Sequence, residues 1–158
     1  MRTKLFLTIL IFALLMPFAK ASAAYQPQFS TAGFYAIEKS GREVYSMNPA
    51  WRFHKGEVTG AEAVAFDDSK WSVVSLPHGT EYLPTEASGC INYQGVVWYR
   101  KHFSLDKALK GKKLFLHFEA IMGKSRVFVN GKQLTEHFGG YLPVVVDITE
   151  SINWSGDN

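Results

Sequence analysis

The chain holds a single cysteine, Cys90, among its 158 residues, which excludes an intrachain disulfide. With no second cysteine and no His-x-x-x-His or Cys-x-x-Cys spacing, a zinc site is not indicated, and nothing in the sequence implies a cofactor. Cys90 itself reads as a small buried hydrophobe. The Gly-x-Ser-x-Gly elbow of a serine hydrolase is missing. The Gly139-Gly140 pair precedes a strand-like run instead of a helix, so it is no phosphate cradle. After the first two dozen residues, no helix-period segment is longer than about two turns. These gaps leave a β-rich chain without an obvious nucleophile, metal or nucleotide chemistry.

An excess of charge is lacking too, once the N-terminus is set aside. Arg2 and Lys4 precede an apolar run, Leu5–Phe18, followed by the small residues Ala21-Ser22-Ala23-Ala24. This is the pattern of a secretory signal peptide over residues 1–24, cut after Ala23 or Ala24, and the run is shorter than the roughly twenty residues of a membrane span. Export to a periplasmic or extracellular location follows as an expectation, with no membrane span after cleavage. The whole chain carries a formal net charge of +3. Arg2, Lys4 and Lys20 account for all of it, so the remainder is neutral and a nucleic-acid partner loses its support.

What is present is a succession of short strands and turn signals. Residues 25–47 form a weakly periodic lead-in, with one short strand expected at Gly33–Ile37. Trp51–His54 alternates and predicts a strand. Ala65–Trp71 predicts a turn capped by Asp67 or Asp68, and Trp71–Leu76 predicts a short strand. In Gly95–Leu105, Val97, Tyr99, Lys101 and Phe103 share one face, while Val96, Trp98, Arg100 and His102 share the other. Large groups on both faces predict an interior strand. Leu114, Leu116 and Phe118 again share a face. Lys124–Val129 and Lys132–Leu134 flank Asn130-Gly131, the pair that favours a type I′ hairpin turn. A loop at Gly139–Tyr141 and a last strand, Leu142–Ile148, complete an all-β sandwich or jelly roll. The turn-like end at 153–158 suggests a piece of a longer protein, with its closing strand beyond.

Pro77–Asn92 is the longest predicted loop, and long loops in compact domains are commonly functional. Its polar residues His78, Glu81, Glu86 and Asn92 are the substrate-contact candidates. Glu81 and Glu86 invite a reading as a glycosidase carboxylate pair, but one loop seldom holds two acids rigidly enough for that chemistry. No residue of the chain is therefore assigned as catalytic. Trp51, Trp71 and Trp98 read as core aromatics, whereas Tyr141 and Trp154 fall in predicted loops and suit stacking on a sugar ring.

Six short motifs stand in order: Phe66-Asp67-Asp68-Ser69-Lys70-Trp71, Leu76-Pro77-His78, Gly95–Phe103, Val127–Lys132, His137–Tyr141 and Asp147-Ile148-Thr149. Together they resemble the N-terminal sugar-binding domain of glycoside hydrolase family 2, over residues 48–158. Pro84-Thr85-Glu86 with Gly89-Cys90 looks most like the β-galactosidase branch. The resemblance implies a galactose-binding-like jelly roll and a carbohydrate, β-galactoside-like partner. It also implies immunoglobulin-like and TIM-barrel domains downstream, with both catalytic glutamates of a retaining mechanism in the barrel. A loop of this first domain helps to shape the sugar subsite in some members, and Pro77–Asn92 matches it. The family often has Asp after Leu-Pro-His, where this chain has Gly79.

Overall fold

A computed structural model of the chain describes residues 41–81 and 93–158. The expected signal peptide and the expected strand at Gly33–Ile37 fall outside the described residues, as do Glu86, Cys90 and Asn92.

Seven strands follow in order: β1 Trp51–Lys55, β2 Ser72–Val74, β3 Val97–Arg100, β4 Phe115–Phe118, β5 Gly123–Val129, β6 Lys132–Gly139 and β7 Val144–Asp147. All pairings among them are antiparallel, giving a β2-β1-β3 sheet and the ribbons β4-β7 and β5-β6. The helix content of the described residues is two single 3₁₀ turns, Lys107–Leu109 and Thr149–Ser151. The all-β class expected from the alternating pattern is what forms.

The core is built where that alternation is strictest. In β7, Val144 and Val146 are buried while Val145 and Asp147 are exposed. Their β4 partners are Phe118 and Leu116 on the inner face, Phe115 and His117 on the outer. Val129 and Ile148 complete the buried cluster, with Leu114, Leu134 and Ile152 packed against it. The two ribbons thus share one apolar layer. The β5-β6 turn has φ of 50° at Asn130 and 81° at Gly131, the two positive values that a type I′ turn needs. The Asn130 side-chain amide then donates to Ser151 O at 2.7 Å and to Asn158 Oδ1 at 2.8 Å. A turn chosen for its backbone therefore also holds the 149–158 segment.

Three expectations are revised. The Gly95–Leu105 strand contracts to Val97–Arg100 and lies at an edge of the described sheet, with β1 in the centre. Its large side chains are met by His78 from the segment after β2 and by Phe128 of β5 instead of a second flanking strand. β6 runs through to Gly139, so the first residue of the expected Gly-Gly-Tyr loop still pairs, opposite Gly123. The pairing also slips between Val127↔Thr135 and Phe128↔Gln133, leaving Leu134 as the extra residue of a bulge.

Ile148→Ala is expected to lower unfolding free energy by about 3 kcal/mol through lost burial and a residual cavity. Val145→Ala, on the outer face of the adjoining strand β7, is expected to change it by less than about 0.5 kcal/mol. Urea denaturation of both variants checks the assignment of inner and outer faces.

Candidate functional site

The β1-β3 pair presents two different faces. On one, Phe53 faces Tyr99 in register, and the ring centroids lie 5.0 Å apart. His78 closes this group from the segment after β2. Its ring meets Phe53 edge-on at 4.7 Å, and its Nδ1 is hydrogen-bonded to the Tyr99 hydroxyl at 2.9 Å. Burial pushes the Tyr99 phenol above its ordinary value. His78 is thus half-buried and fixed against the sheet.

Glu81 stands beside this group as a clasp. Its Oε1 accepts from Lys55 Nζ at 2.8 Å, and its Oε2 accepts from the Tyr93 backbone N–H at 3.0 Å. Lys55 Nζ also lies 4.6 Å from the Tyr93 ring centroid, and the Tyr93 hydroxyl donates to Val96 O at 3.0 Å. The hydrogen bond from Lys55 holds the Glu81 carboxyl below its usual value. One carboxylate therefore ties the end of β1 to the residues on either side of 82–92. Of the predicted contacts, His78 and Glu81 are brought to the same face of the sheet. Glu86 and Asn92 lie outside the described residues.

The second face carries a group that the sequence reading left out. Asp68 is only 7% exposed. Its Oδ2 accepts from Arg100 Nε at 2.8 Å and lies 2.8 Å from His102 Nε2. The His102 Nδ1 faces Asp157 Oδ2 at 2.9 Å. Arg100 donates further to the carbonyls of Ala61 and Ala63. Burial pushes the Asp68 carboxyl up, but hydrogen bonds and charge from His102 and Arg100 outweigh it and hold the carboxyl below its ordinary value. The capping role foreseen for Asp67 or Asp68 falls to Asp67, whose Oδ1 accepts from the Ser69 N–H at 3.0 Å. Alternation placed Arg100 and His102 on one face. Their partner is more than thirty residues away in sequence, and no local signal marks it.

Among the described residues, no group of three or more His, Cys, Asp or Glu side chains is placed to hold a metal ion. No described helix is long and apolar enough to cross a membrane. Tyr141 is 90% exposed, while Trp154 is half-buried.

Asp68→Asn is expected to cost about 2 kcal/mol at neutral pH, because it weakens charge-assisted hydrogen bonds in a buried place. The folded carboxyl has a depressed pKa, so its contribution is complete above the unfolded value of about 3.9 and is lost as pH falls through the folded value. The stability gap between the wild-type chain and Asp68→Asn should therefore narrow as pH drops below about 4. Denaturant titrations across that range decide the matter, and a gap that widens in acid contradicts the assignment.

The comparisons with known proteins agree with this architecture. The family model described as "Glycosyl hydrolases family 2, sugar binding domain" matches residues 50–158. A β-galactosidase of Thermoanaerobacter pseudethanolicus is 41% identical over 114 residues, covering 72% of this chain and 15% of the relative. A β-glucuronidase of Formosa agariphila is 33% identical over 130 residues, covering 77% of this chain and 13% of the relative. Among solved structures, β-glucuronidase 2 of Bacteroides uniformis superposes with a TM-score of 0.65 at 36% identity, over 71% of this chain and 13% of that one. The chain thus spans about a seventh of the length of the curated relatives it matches, and it belongs to glycoside hydrolase family 2, as that family's sugar-binding domain.

Proposed function

We propose that this chain is the exported, non-catalytic N-terminal domain of a family 2 glycosidase that hydrolyses terminal β-galactosides. The observation that carries the reading is the match of residues 50–158 to the family's sugar-binding domain. The β-galactosidase assignment draws on Pro84-Thr85-Glu86 with Gly89-Cys90 and on the 41% identity to a β-galactosidase. Export draws on the basic start, apolar run and small residues of 1–24. In this reading the chemistry belongs to two glutamates of a downstream barrel acting through a glycosyl-enzyme intermediate. The first domain contributes a wall of the sugar subsite from the 77–92 segment.

The role of the clasp follows from its bonds. Glu81 bonds both Lys55 and the Tyr93 N–H, which limits how far the two sides of the segment can separate. Restricting a substrate-facing segment lowers the ordering cost of binding. The His78, Phe53 and Tyr99 group beneath it supplies a rigid floor.

The 158-residue chain alone should show no hydrolysis of nitrophenyl β-galactoside, whereas the protein extended through a barrel should hydrolyse it and prefer it to the β-glucuronide. Turnover by the isolated chain, or a preference for the glucuronide in the extended protein, would sink the reading. In the extended protein, Glu81→Gln is expected to raise KM by up to about fivefold, as suits an exposed ion pair, with a smaller change in kcat. Steady-state kinetics check this, and an unchanged KM leaves the clasp a purely structural role.

A further inference from the structure

His102 has a carboxylate on each side of its ring. Its Nε2 lies 2.8 Å from Asp68 Oδ2, and its Nδ1 lies 2.9 Å from Asp157 Oδ2. An ionised carboxylate only accepts hydrogen bonds, while a neutral imidazole has one N–H and one bare nitrogen. A neutral His102 would therefore bond one acid and turn a lone pair toward the other. Asp68 does not supply the missing proton: despite its burial, hydrogen bonds from His102 and Arg100 hold its carboxyl below the ordinary value. The two contacts together need a proton on each ring nitrogen.

We propose that His102 is a proton-operated latch, whose imidazolium fastens the 153–158 segment to the continuation of β3 and whose loss of one proton releases Asp157. The geometry also sets which contact gives way. Asp68 is 7% exposed, whereas the Asp157 side chain is 58% exposed. A lone pair facing a buried carboxylate costs more than one facing a carboxylate that water solvates. The remaining proton therefore stays on Nε2, against Asp68, and the departing one goes from Nδ1 to solvent. Arg100 shares Asp68 Oδ2 with the ring, and Arg52 of β1, Lys101 and Asp67 line the adjoining hollow. The three cations disfavour a second proton on the ring and Asp67 favours it. Among the described residues, the groups hydrogen-bonded to the ring are Asp68 and Asp157. The segment has other fastenings, since Asn158 shares two backbone hydrogen bonds with Phe103 and accepts from the Asn130 amide. Opening the latch thus loosens 153–158 and leaves the Asp68–Arg100 pair in place. The latch is closed in acid and opens as pH rises, opposite in sign to the Asp68 carboxyl, whose contribution is lost in acid.

Amide hydrogen exchange of the full chain, followed by NMR and corrected for intrinsic exchange, tests the latch between about pH 5 and about pH 9, a range that spans the charge change of histidine. Protection of the Phe103 and Asn158 amides is expected to fall by up to about fivefold as pH rises, the size suited to an exposed ion pair. The amides of β7 should not follow. Nitrogen spectra of the ring should show His102 passing from two N–H groups to one over the same interval. Asp157→Asn, at an exposed position that spares the fold, should keep the contact and erase the pH response, because a side-chain amide accepts from an N–H and donates to a bare nitrogen. His102→Gln, which has no proton to lose, should likewise show no pH response. Constant protection in the wild-type chain, or an equal fall with pH in either variant, would overturn the proposal. A ring that keeps a single N–H throughout would overturn it as well. These readouts do not involve hydrolysis, so their failure leaves the proposed β-galactosidase reading untouched.

Discussion

The buried carboxylate of Asp68 joins parts of the chain that the strands alone leave separate. Its Oδ2 meets Arg100 and His102, both of which project from β3 or its continuation. Through Arg100, the hub reaches the carbonyls of Ala61 and Ala63 in the segment after β1. Through His102, it reaches Asp157 near the end of the chain. A carboxylate placed this deep is tolerated only when charged partners satisfy it. The segments that supply those partners are thereby held in register. The adjacent pairing of Phe103 with Asn158, through two backbone hydrogen bonds of 2.9 and 3.2 Å, extends the same junction.

The two faces of the β1-β3 pair owe their different characters to this junction. On the hub side, Asp68, Arg100 and His102 fix the loop that carries Phe66 and Trp71. Trp71 in turn stacks on His54 at 5.2 Å, and Phe66 lies under the Arg100 guanidinium. The opposite side is left to Phe53, Tyr99 and His78, with the Lys55–Glu81–Tyr93 clasp at its margin. Rigidity on the first side is what gives the second a constant shape. The apolar layer shared by β4, β5, β6 and β7 is a separate source of stability, since it is made of Val, Leu, Ile and Phe without a buried charge.

Much of this was legible in the sequence, for identifiable reasons. The alternation in 114–118 and 144–148 picks out inner and outer residues because the side-chain period of a strand is two. Asn130-Gly131 predicts its turn because few residues accept two consecutive positive φ values. The family motifs place the domain. The bulge at Leu134 was not legible, because it depends on how β6 pairs and not on β6 itself. Nor was the burial of Asp68. In Asp67-Asp68-Ser69 both acids look like turn residues, and only Asp67 behaves as one. Trp98 was read as core because aromatic residues in strands usually are, yet it lines a cavity with an unsatisfied indole nitrogen. The edge position of β3 was hidden by large side chains on both faces, which loops and ribbons cover here in place of a second strand.

The claim on which the rest depends is that Asp68 and Arg100 act as one unit. A double-mutant cycle with Asp68→Asn, Arg100→Met and the combined variant, read by denaturant unfolding at neutral pH, measures it most directly. The account predicts a coupling free energy of at least about 1 kcal/mol between the two side chains. Additivity within about 0.3 kcal/mol would contradict it and leave the hub an incidental contact.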